Sequence, residues 1–313
     1  EQFLPIPQSL ERHKKFKTSL NRSTLLSDGS IWLHNNKSGF ESCFRINYSS
    51  SGLLQVTHFN NPKFSENEVI NKIYLDKDSN TWLLTTRGIG RLLAGKKHVN
   101  RLIYNNTEAY GIYENSKAVF IVGNNGQLFI FNKFGAKIQK INLPTSQNLV
   151  DIQQLKNGKF LFITLNAEVW LSDKQLTNFE LLKINKLKSA IAYGFHTDRL
   201  GNVWMDADCS MAIYFDQKTE KIQYLAYANN QNISVANNFS VIEDTQQNIW
   251  VQVKAGGLYL FNPTTNTLDG IDIQHKIHKS ISEIVHLSGT DNQGNLWLST
   301  FLQGVDKLTF ANN

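Results

Sequence analysis

Amide, charged and aromatic side chains recur in short polar segments of this sequence, and these are the residues best suited to binding chemistry. The candidates are Arg87, Tyr110, Asn124, Tyr193, Asp208, Asn238, Lys254, Phe301 and Gln303. Asn and Arg side chains hydrogen-bond to hydroxyl groups, and aromatic rings stack on the C–H faces of sugars. The set therefore predicts a binding site for a polyhydroxylated ligand, with no catalytic residue, no metal ligand and no cofactor.

Residues for enzymatic catalysis are missing or out of place. Asp291 lies three residues before Gly294 and six before Trp297, one residue off the sialidase-type Asp box. The sequence has no Gly-x-Ser-x-Gly elbow and no pair of carboxylates that can be assigned to glycoside hydrolysis. Streptogramin-type lyases use a His and a Glu, so His34 and Glu168 leave a lyase of that type as an alternative.

Three histidines, His275, His278 and His286, are close enough in sequence to suggest a metal site. No acidic partner or further ligand stands at a spacing typical of zinc sites, and the stretch is not helical in pattern. We therefore expect these histidines to be ordinary polar residues.

One motif recurs along the chain and is most complete in Asp198-Arg-Leu-Gly-Asn-Val-Trp204 and Asp291-Asn-Gln-Gly-Asn-Leu-Trp297. Copies with more changes lie between and before these two. The tryptophan position of the seven copies falls at Trp32, Trp82, Val119, Phe160, Trp204, Trp250 and Trp297. The copies are spaced 37 to 50 residues apart, and a repeat of this period is typical of propellers and solenoids.

Each copy predicts a small antiparallel sheet. Asp, Gly and Asn in a row favour a turn, and the apolar runs on either side of it predict a β-hairpin. A third apolar run follows after a break that usually contains Gly, and a fourth run often comes after that. The position eleven residues after the tryptophan is always apolar, which predicts a core contact; it is occupied by Cys43, Leu93, Ile130, Leu171, Phe215, Phe261 and Leu308.

Seven units of four short strands predict an all-β fold: one seven-bladed β-propeller of four-stranded antiparallel blades over residues 1–313. The last unit stops near Phe310 after its third strand, so we expect the N-terminal segment Phe3–Ile6 to close the ring as an outer strand. Closure removes two unpaired sheet edges, and Pro5 fits only an edge strand. The loops at one face of the disc would then bring the candidate residues together over a central funnel.

The Asp-x-x-Gly-Asn-x-Trp-x-x-Thr pattern followed by Gly-Leu-Tyr resembles the two-component-regulator propeller repeat. That repeat occurs in the extracytoplasmic sensor regions of hybrid two-component histidine kinases. The resemblance spans the whole chain and is strongest in the second, fifth, sixth and seventh units. It implies a periplasmic sensor domain whose partners include a second propeller or an immunoglobulin-like module, with a kinase beyond this chain.

Composition adds limits on partners. The net charge is +6, with 19% charged and 11% aromatic residues; this favours an acidic ligand only weakly. No basic stripe with exposed aromatic residues is visible, so we expect no nucleic-acid partner, and no apolar run approaches a membrane span. Cys43 and Cys209 would lie on nearly opposite blades, so we expect two free thiols.

Three functions follow as hypotheses. The first is a sensor that binds an oligosaccharide or a related carbohydrate signal and passes a conformational change to a kinase. The second is a structural module without its own ligand, which packs on another propeller or forms a homodimer. The third is a propeller lyase that uses His34 and Glu168.

Overall fold

The computed structural model of the chain is all-β. It describes residues 22–34, 43–48, 54–59, 68–96, 99–103, 107–184, 191–207, 212–225, 239–253, 257–271, 285–290, 295–300 and 304–308. In these ranges there are twenty-seven strands and no helix, and hence no helix long and apolar enough to cross a membrane.

The chain divides into two compact units, residues 1–149 and 150–313. In the first unit the strands form three four-stranded antiparallel sheets in which each strand pairs with the next along the chain. The first sheet contains β1 (Arg22–Leu25), β2 (Ile31–His34), β3 (Cys43–Tyr48) and β4 (Leu54–Phe59); the second contains β5 (Ile70–Leu75), β6 (Thr81–Thr85), β7 (Gly88–Leu92) and β8 (Val99–Ile103); the third contains β9 (Ala109–Glu114), β10 (Ala118–Gly123), β11 (Gln127–Asn132) and β12 (Lys137–Asn142).

The second unit continues the same pattern, and its first strand begins at the last residue of the first unit. Its described strands form three four-stranded sheets and one three-stranded sheet. The fourth sheet contains β13 (Leu149–Gln154), β14 (Phe160–Thr164), β15 (Val169–Ser172) and β16 (Phe179–Leu182); the fifth contains β17 (Ala192–Thr197), β18 (Val203–Ala207), β19 (Ala212–Asp216) and β20 (Lys221–Leu225); the sixth contains β21 (Phe239–Glu243), β22 (Ile249–Val253), β23 (Gly257–Asn262) and β24 (Thr267–Ile271); the seventh contains β25 (Val285–Thr290), β26 (Leu296–Thr300) and β27 (Gly304–Leu308).

The repeated motif forms the turn between the first and second strands of a sheet. In the second sheet, Asp76 Oδ1 accepts the backbone N–H of Asn80 at 2.7 Å, and Asp76 Oδ2 accepts the indole N–H of Trp82 at 2.8 Å. The fifth and sixth sheets repeat the indole bond, from Trp204 to Asp198 at 2.9 Å and from Trp250 to Asp244 at 2.8 Å. One carboxylate therefore closes the turn and fixes the orientation of the buried ring.

Backbone bonds locate the same position in the two eroded copies. The N–H of Asp76 donates to the carbonyl of Asn80, two residues before Trp82, and Leu155 donates in the same way to Lys159. The turn of the third sheet is one residue shorter, because Asn115 donates to Ala118. The tryptophan position lies two residues after the residue that accepts this bond, which gives Phe120 and Leu161. Each is one residue later in the chain than the sequence predicted.

Successive residues of the second strands pack against sheets on both sides. In the first unit, Leu83 packs with Trp32 between the first and second sheets, whereas Trp82 packs with Phe131 between the second and third. In the second unit, Trp204 packs edge-on against Phe261 of the sixth sheet, with ring centroids 5.0 Å apart. A strand buried on both faces explains why these runs are continuously apolar.

A carboxylate at the end of a first strand also ties neighbouring sheets together. Glu114, the last residue of β9, accepts the N–H of Lys77 at 3.1 Å, and Glu243, the last residue of β21, accepts the N–H of Arg199 at 2.9 Å. Lys77 and Arg199 both follow the turn aspartate of the preceding sheet. Among the described residues, both units therefore contain this bond.

The prediction of an all-β chain made of repeated four-stranded antiparallel sheets is confirmed. The apolar position eleven residues after the tryptophan is buried at Ile130, Phe215 and Phe261. It is only half-buried at Leu93 and Leu171. At Leu93 the reason is that the turn between β6 and β7 is one residue shorter than in the fifth and sixth sheets, so Leu92 is the buried residue. Leu171 is counted from Phe160, one residue before the position that the turn gives. The segment Phe3–Ile6 lies outside the described residues, so seven blades closed in one ring stay a prediction.

Candidate functional site

Four of the nine candidate residues lie in the described part of the chain, all at the ends of strands or in turns. Arg87 is in the turn between β6 and β7, Asn124 is in the turn between β10 and β11, and Tyr110 and Tyr193 are the second residues of β9 and β17. The other five lie outside the described residues: Asp208, Asn238, Lys254, Phe301 and Gln303.

A β-bulge occurs at the second residue of three first strands. In β9 the pairing with β10 passes from Ala109 to Gly111 and leaves Tyr110 unpaired. The pairing of β17 with β18 leaves out Tyr193, and that of β5 with β6 leaves out Asn71. A bulge redirects the side chain of the extra residue and is common beside functional sites, so both predicted tyrosines occupy equivalent positions in their sheets.

The hydroxyl of Tyr110 is held between two side chains of the first unit. It donates to the carboxylate of Glu108 and accepts a hydrogen bond from Asn148 Nδ2 at 3.3 Å. Burial raises the pKa of Tyr110, and the hydrogen bond to Glu108 raises this pKa further. The phenol is therefore protonated at neutral pH, and its oxygen is already used as both donor and acceptor.

The turn between β10 and β11 lies against the segment that carries Asn148. The N–H of Asn125 donates to Asn148 Oδ1 at 3.3 Å, and the N–H of Gly126 donates to the carbonyl of Gln147 at 2.8 Å. On the other side, the N–H of Asn124 donates to the carbonyl of Glu108 at 2.9 Å. These bonds bring an aromatic ring and three amide side chains to one end of the third sheet.

The second sheet is attached to this end by Asn71, whose Nδ2 donates to the carbonyl of Ala109 at 2.9 Å. Beside it lies the turn of Arg87. The N–H of Arg87 donates to Thr85 Oγ1 at 3.2 Å, and its carbonyl accepts Arg101 Nη2 at 2.8 Å. The Arg87 backbone is therefore fixed on both sides, while its side chain is exposed.

Arg101 is itself held by a buried carboxylate. Its Nη1 lies 2.7 Å from Glu68 Oε2, and the side chains of Arg101 and Glu68 are only 5% and 0% exposed. Thr85 Oγ1 donates to the other oxygen of Glu68. Because both charges are paired and hydrogen-bonded, the pair is a fixed support for the Arg87 turn.

The equivalent end of the second unit is more apolar. Tyr193 is 49% exposed, and Ile191 and Leu165 beside it are 46% and 39% exposed. The N–H of Ala192 donates to the carbonyl of Leu165 at 2.9 Å, which joins the fifth sheet to the fourth. Buried Asp151 completes the junction, because its Oδ2 accepts the N–H of Phe195 at 3.1 Å.

Solved structures of other proteins have a similar fold. The chain matches virginiamycin B lyase from Staphylococcus aureus with a TM-score of 0.63 at 14% identity, covering 94% of this chain and 95% of that chain. The sheets are of the β-propeller type. At this identity the likeness carries the fold alone, and neither the activity nor the substrate of the lyase passes to this chain.

Two further matches are to longer chains. PorZ of the Porphyromonas gingivalis type-IX secretion system matches with a TM-score of 0.60 at 13% identity, over 90% of this chain and 45% of that chain. The extracellular domain of a hybrid two-component system from B. thetaiotaomicron matches with a TM-score of 0.49 at 15% identity, over 94% and 47%. This chain thus spans about half of each. No protein-family model matches the sequence, and no curated protein matches it.

Of the two residues of the lyase alternative, only Glu168 has a described side chain, and this residue makes hydrogen bonds within the fourth sheet. One carboxylate oxygen of Glu168 accepts the indole N–H of Trp170 at 3.3 Å, and the backbone N–H of Glu168 donates to Thr164 Oγ1 at 3.0 Å. The side chain of His34 lies outside the described residues, as do His275, His278 and all but the backbone of His286. Within the described residues, no group of three or more His, Cys, Asp or Glu side chains could hold a metal ion.

Three residues of this site were not among the candidates, namely Asn71, Glu108 and Asn148. Asn148 ends the segment that leads into the fourth sheet, and Glu108 and Asn71 lie beside or at the bulged positions. The only sequence feature that could have identified them is their position just before or just after the start of the first strand of a sheet. The bulge that makes this place special depends on cross-strand pairing, which the sequence does not display.

Proposed function

We propose that this chain is a non-catalytic, ligand-sensing β-propeller that binds a polyhydroxylated ligand, an oligosaccharide or a related carbohydrate, at the loop ends of its sheets. In this proposal the seven sheets are seven blades of one ring, closed by the N-terminal segment. The observation that carries the proposal is Tyr110, whose ring is fixed by Glu108 and Asn148 beside the amide-rich turn of Asn124.

The arrangement around Tyr110 favours stacking over hydrogen bonding by the phenol. Its hydroxyl already donates to Glu108 and accepts from Asn148, so a ligand meets the ring rather than the oxygen. An aromatic ring that is held in place gains contact area at low entropic cost, and nearby amides supply partners for hydroxyl groups. A sugar ring presents both an apolar face and hydroxyl groups, which matches this combination.

The sensor role rests on the sequence repeat, which resembles that of extracytoplasmic two-component sensors, and on the observed turn that this repeat forms. We place the chain in the periplasm, next to a second propeller or an immunoglobulin-like module, with a homodimer as a further arrangement and a histidine kinase as the output. Binding transmits a signal only if the ligand has different affinities for two states of the sensor.

Thermal-shift measurements and a glycan array test the proposal. A bound glycan raises the melting temperature, and the rise grows with the logarithm of its concentration relative to its dissociation constant. We expect Tyr110→Ala to abolish this shift and Tyr110→Phe to keep most of it, because the ring rather than the hydroxyl contacts the ligand. Tyr224→Ala is the matched control, since Tyr224 is an exposed tyrosine on the outer strand β20.

Three outcomes contradict the proposal. Binding that persists in Tyr110→Ala, or that is lost equally in Tyr224→Ala, removes the role given to Tyr110. A stable dimer by light scattering with no response to any glycan favours a structural module. Turnover of a candidate substrate that disappears in Glu168→Gln shows an enzyme.

A further inference from the structure

Arg87 differs from the other arginines whose side chains the structure describes. Four of them pair with a carboxylate: Arg45 with Asp28, Arg91 with Asp76, Arg101 with Glu68 and Arg199 with Glu243. The guanidinium of Arg87 pairs with no carboxylate of the described residues, and the side chain is exposed. The fold therefore leaves this one described arginine uncommitted.

The turn that carries Arg87 is fixed at each of its residues. Thr86 exchanges two bonds with Val69: its N–H donates to the carbonyl of Val69 at 2.9 Å, and its Oγ1 accepts the N–H of Val69 at 3.1 Å. The following Gly88 lies so close to β8 that an added Cβ would be 2.1 Å from the carbonyl oxygen of Ile103. An exposed cation on so rigid a turn loses little backbone freedom when it binds a partner.

The charge of Arg87 is also not cancelled by its supports. Arg101 and Glu68 form a buried pair with no net charge, and that pair holds the carbonyl of Arg87. Burying an ion pair costs desolvation and adds little stability by itself. The pair holds the backbone of the β6–β7 turn, and the guanidinium of Arg87 is left as an uncompensated positive charge at the tip of that turn.

Arg87 belongs to the same end of the first unit as Tyr110. The start of β5 is bonded to the Arg87 turn through Val69 and Thr86, and it is bonded to the start of β9 through Asn71 and Ala109. Tyr110 follows Ala109 directly. The start of β5 therefore connects the Arg87 turn to the strand start that carries Tyr110.

We infer that the ligand carries an anionic group, a carboxylate or a sulfate ester, and that Arg87 binds it. The inference rests on the proposed function and narrows its ligand class to acidic saccharides. A guanidinium presents two parallel N–H donors that match a carboxylate or sulfate. The neutral part of the ligand lies on Tyr110 and the amides, and the acidic group lies at Arg87.

Matched pairs of glycans test this directly by calorimetric titration. Uronate oligosaccharides are compared with their carboxyl-reduced forms, and sulfated oligosaccharides with their desulfated forms, so that only the charge changes. We expect the acidic member of one pair to bind about tenfold tighter or more. Whether the uronate pair or the sulfate pair shows the difference identifies the anionic group.

Variants assign the difference to Arg87. Arg87→Ala is expected to bring the acidic glycan down to the affinity of its neutral counterpart, and Arg87→Lys to keep part of the difference, because a lysine keeps the charge without the two-pronged geometry. Lys117→Ala is the control for net charge, since Lys117 is an exposed cation in the β9–β10 turn at the opposite end of the third sheet. It should leave the affinity unchanged.

The outcomes separate the inference from the proposed function. Neutral and acidic members that bind equally well overturn the role of Arg87 and leave carbohydrate sensing standing. An acidic preference that survives in Arg87→Ala, or that falls equally in Lys117→Ala, also overturns it. If no glycan of either kind binds, both the inference and the proposed function fail.

Discussion

The indole N–H of Trp250 donates a hydrogen bond to Oδ2 of Asp244, 2.8 Å away and six residues earlier in the chain. Oδ1 of the same carboxylate accepts the backbone N–H groups of Gln246 and Asn248 at 2.9 and 2.8 Å. The aspartate thus joins the turn to the core, because the turn's own hydrogen-bond acceptor also orients the largest buried ring of the sheet. This explains why Asp and Trp recur together at a fixed spacing.

Trp250→Ala should lower the free energy of unfolding by about 3–5 kcal/mol, as truncation of a large buried side chain does. Trp250 is 2% exposed, so the substitution leaves a cavity between strands as well as an unused carboxylate oxygen. Urea unfolding measures the change. A loss below about 1 kcal/mol would mean that the ring is not a core element.

Asp244→Ala should cost about 2–3 kcal/mol, because it leaves the indole N–H of Trp250 and two backbone N–H groups without their charged acceptor. Asp269→Ala is the control in the same sheet, since Asp269 is an exposed aspartate on β24, and it should change stability by less than about 0.5 kcal/mol. Equal losses in the two variants, measured by urea unfolding, would contradict the role given to the Asp244 turn.

Among the described turns, the sequence predicted this repeat well where the Asp–Trp pair is intact, and less well where the pair is eroded. Trp82, Trp204 and Trp250 all lie second in their strands. In the third and fourth copies, Phe120 and Leu161 take the position one residue later than expected. The turn of the third copy is one residue shorter, and the fourth copy has two adjacent apolar residues that could each take the position. The register of both copies is therefore decided only by their backbone hydrogen bonds.

The positions of the candidate residues within their sheets were predictable, whereas their supports were not. Arg87, Tyr110 and Asn124 lie in turns or at a strand start of the first unit, and Tyr193 lies at the equivalent strand start of the second unit, as the repeat predicts. That they bind a ligand stays a prediction. The support by Arg101 and Glu68 did not follow, because it joins residues 33 apart in sequence through side chains whose burial depends on tertiary packing. Long-range polar pairs of this kind leave no periodic signal.

Gly126→Ala should destabilise the loop end of the third sheet by about 3 kcal/mol. Gly126 has φ +67, and an added Cβ would lie 2.4 Å from the carbonyl oxygen of Thr145, so the alanine is both strained and in contact with backbone. Gly95→Ala is the control, because Gly95 has φ +70 with nothing within 4 Å of an added Cβ. It carries the strain alone and should cost about 1 kcal/mol.

The difference between these two variants in urea unfolding isolates the steric contact. Because the N–H of Gly126 also holds the carbonyl of Gln147, beside Asn148, Gly126→Ala should weaken glycan binding as well, whereas Gly95→Ala should not. Equal stability losses in the two variants would contradict the close approach at Gly126.

His196 should make stability depend on pH. Burial lowers the pKa of His196, against the opposing effect of the carboxylates of Asp198 and Glu243, and its Nε2 has no hydrogen-bond partner among the described residues. As the pH falls below the ordinary histidine pKa of about 6.5, the unfolded state takes up a proton that the folded state does not yet bind. Stability therefore falls with decreasing pH until the lowered pKa is reached, and is constant above about pH 7.5 as far as this group is concerned.

His196→Gln removes this contribution without a change of charge at neutral pH. Urea unfolding between about pH 5 and pH 7.5 should show a smaller slope of stability against pH in the variant than in the unmodified chain. The other histidines titrate in both proteins, so the difference between the two slopes reports on His196. Identical slopes would mean that this histidine binds its proton as readily in the folded state as in the unfolded one.

The buried pair of Arg101 and Glu68 should separate stability from ligand binding. Either Glu68→Leu or Arg101→Met alone leaves one buried charge without its partner and should cost about 3–5 kcal/mol, whereas the double variant should regain most of that loss because two apolar side chains then pack together. Affinity for an acidic glycan should not return with stability, because the carbonyl of Arg87 still lacks the Arg101 Nη2 donor that fixes the turn. Unfolding and calorimetric titration of the three variants measure the two effects separately. A double variant that regains both stability and affinity would show that Arg101 contributes only to folding, and that the Arg87 turn needs no support to hold its charge in place.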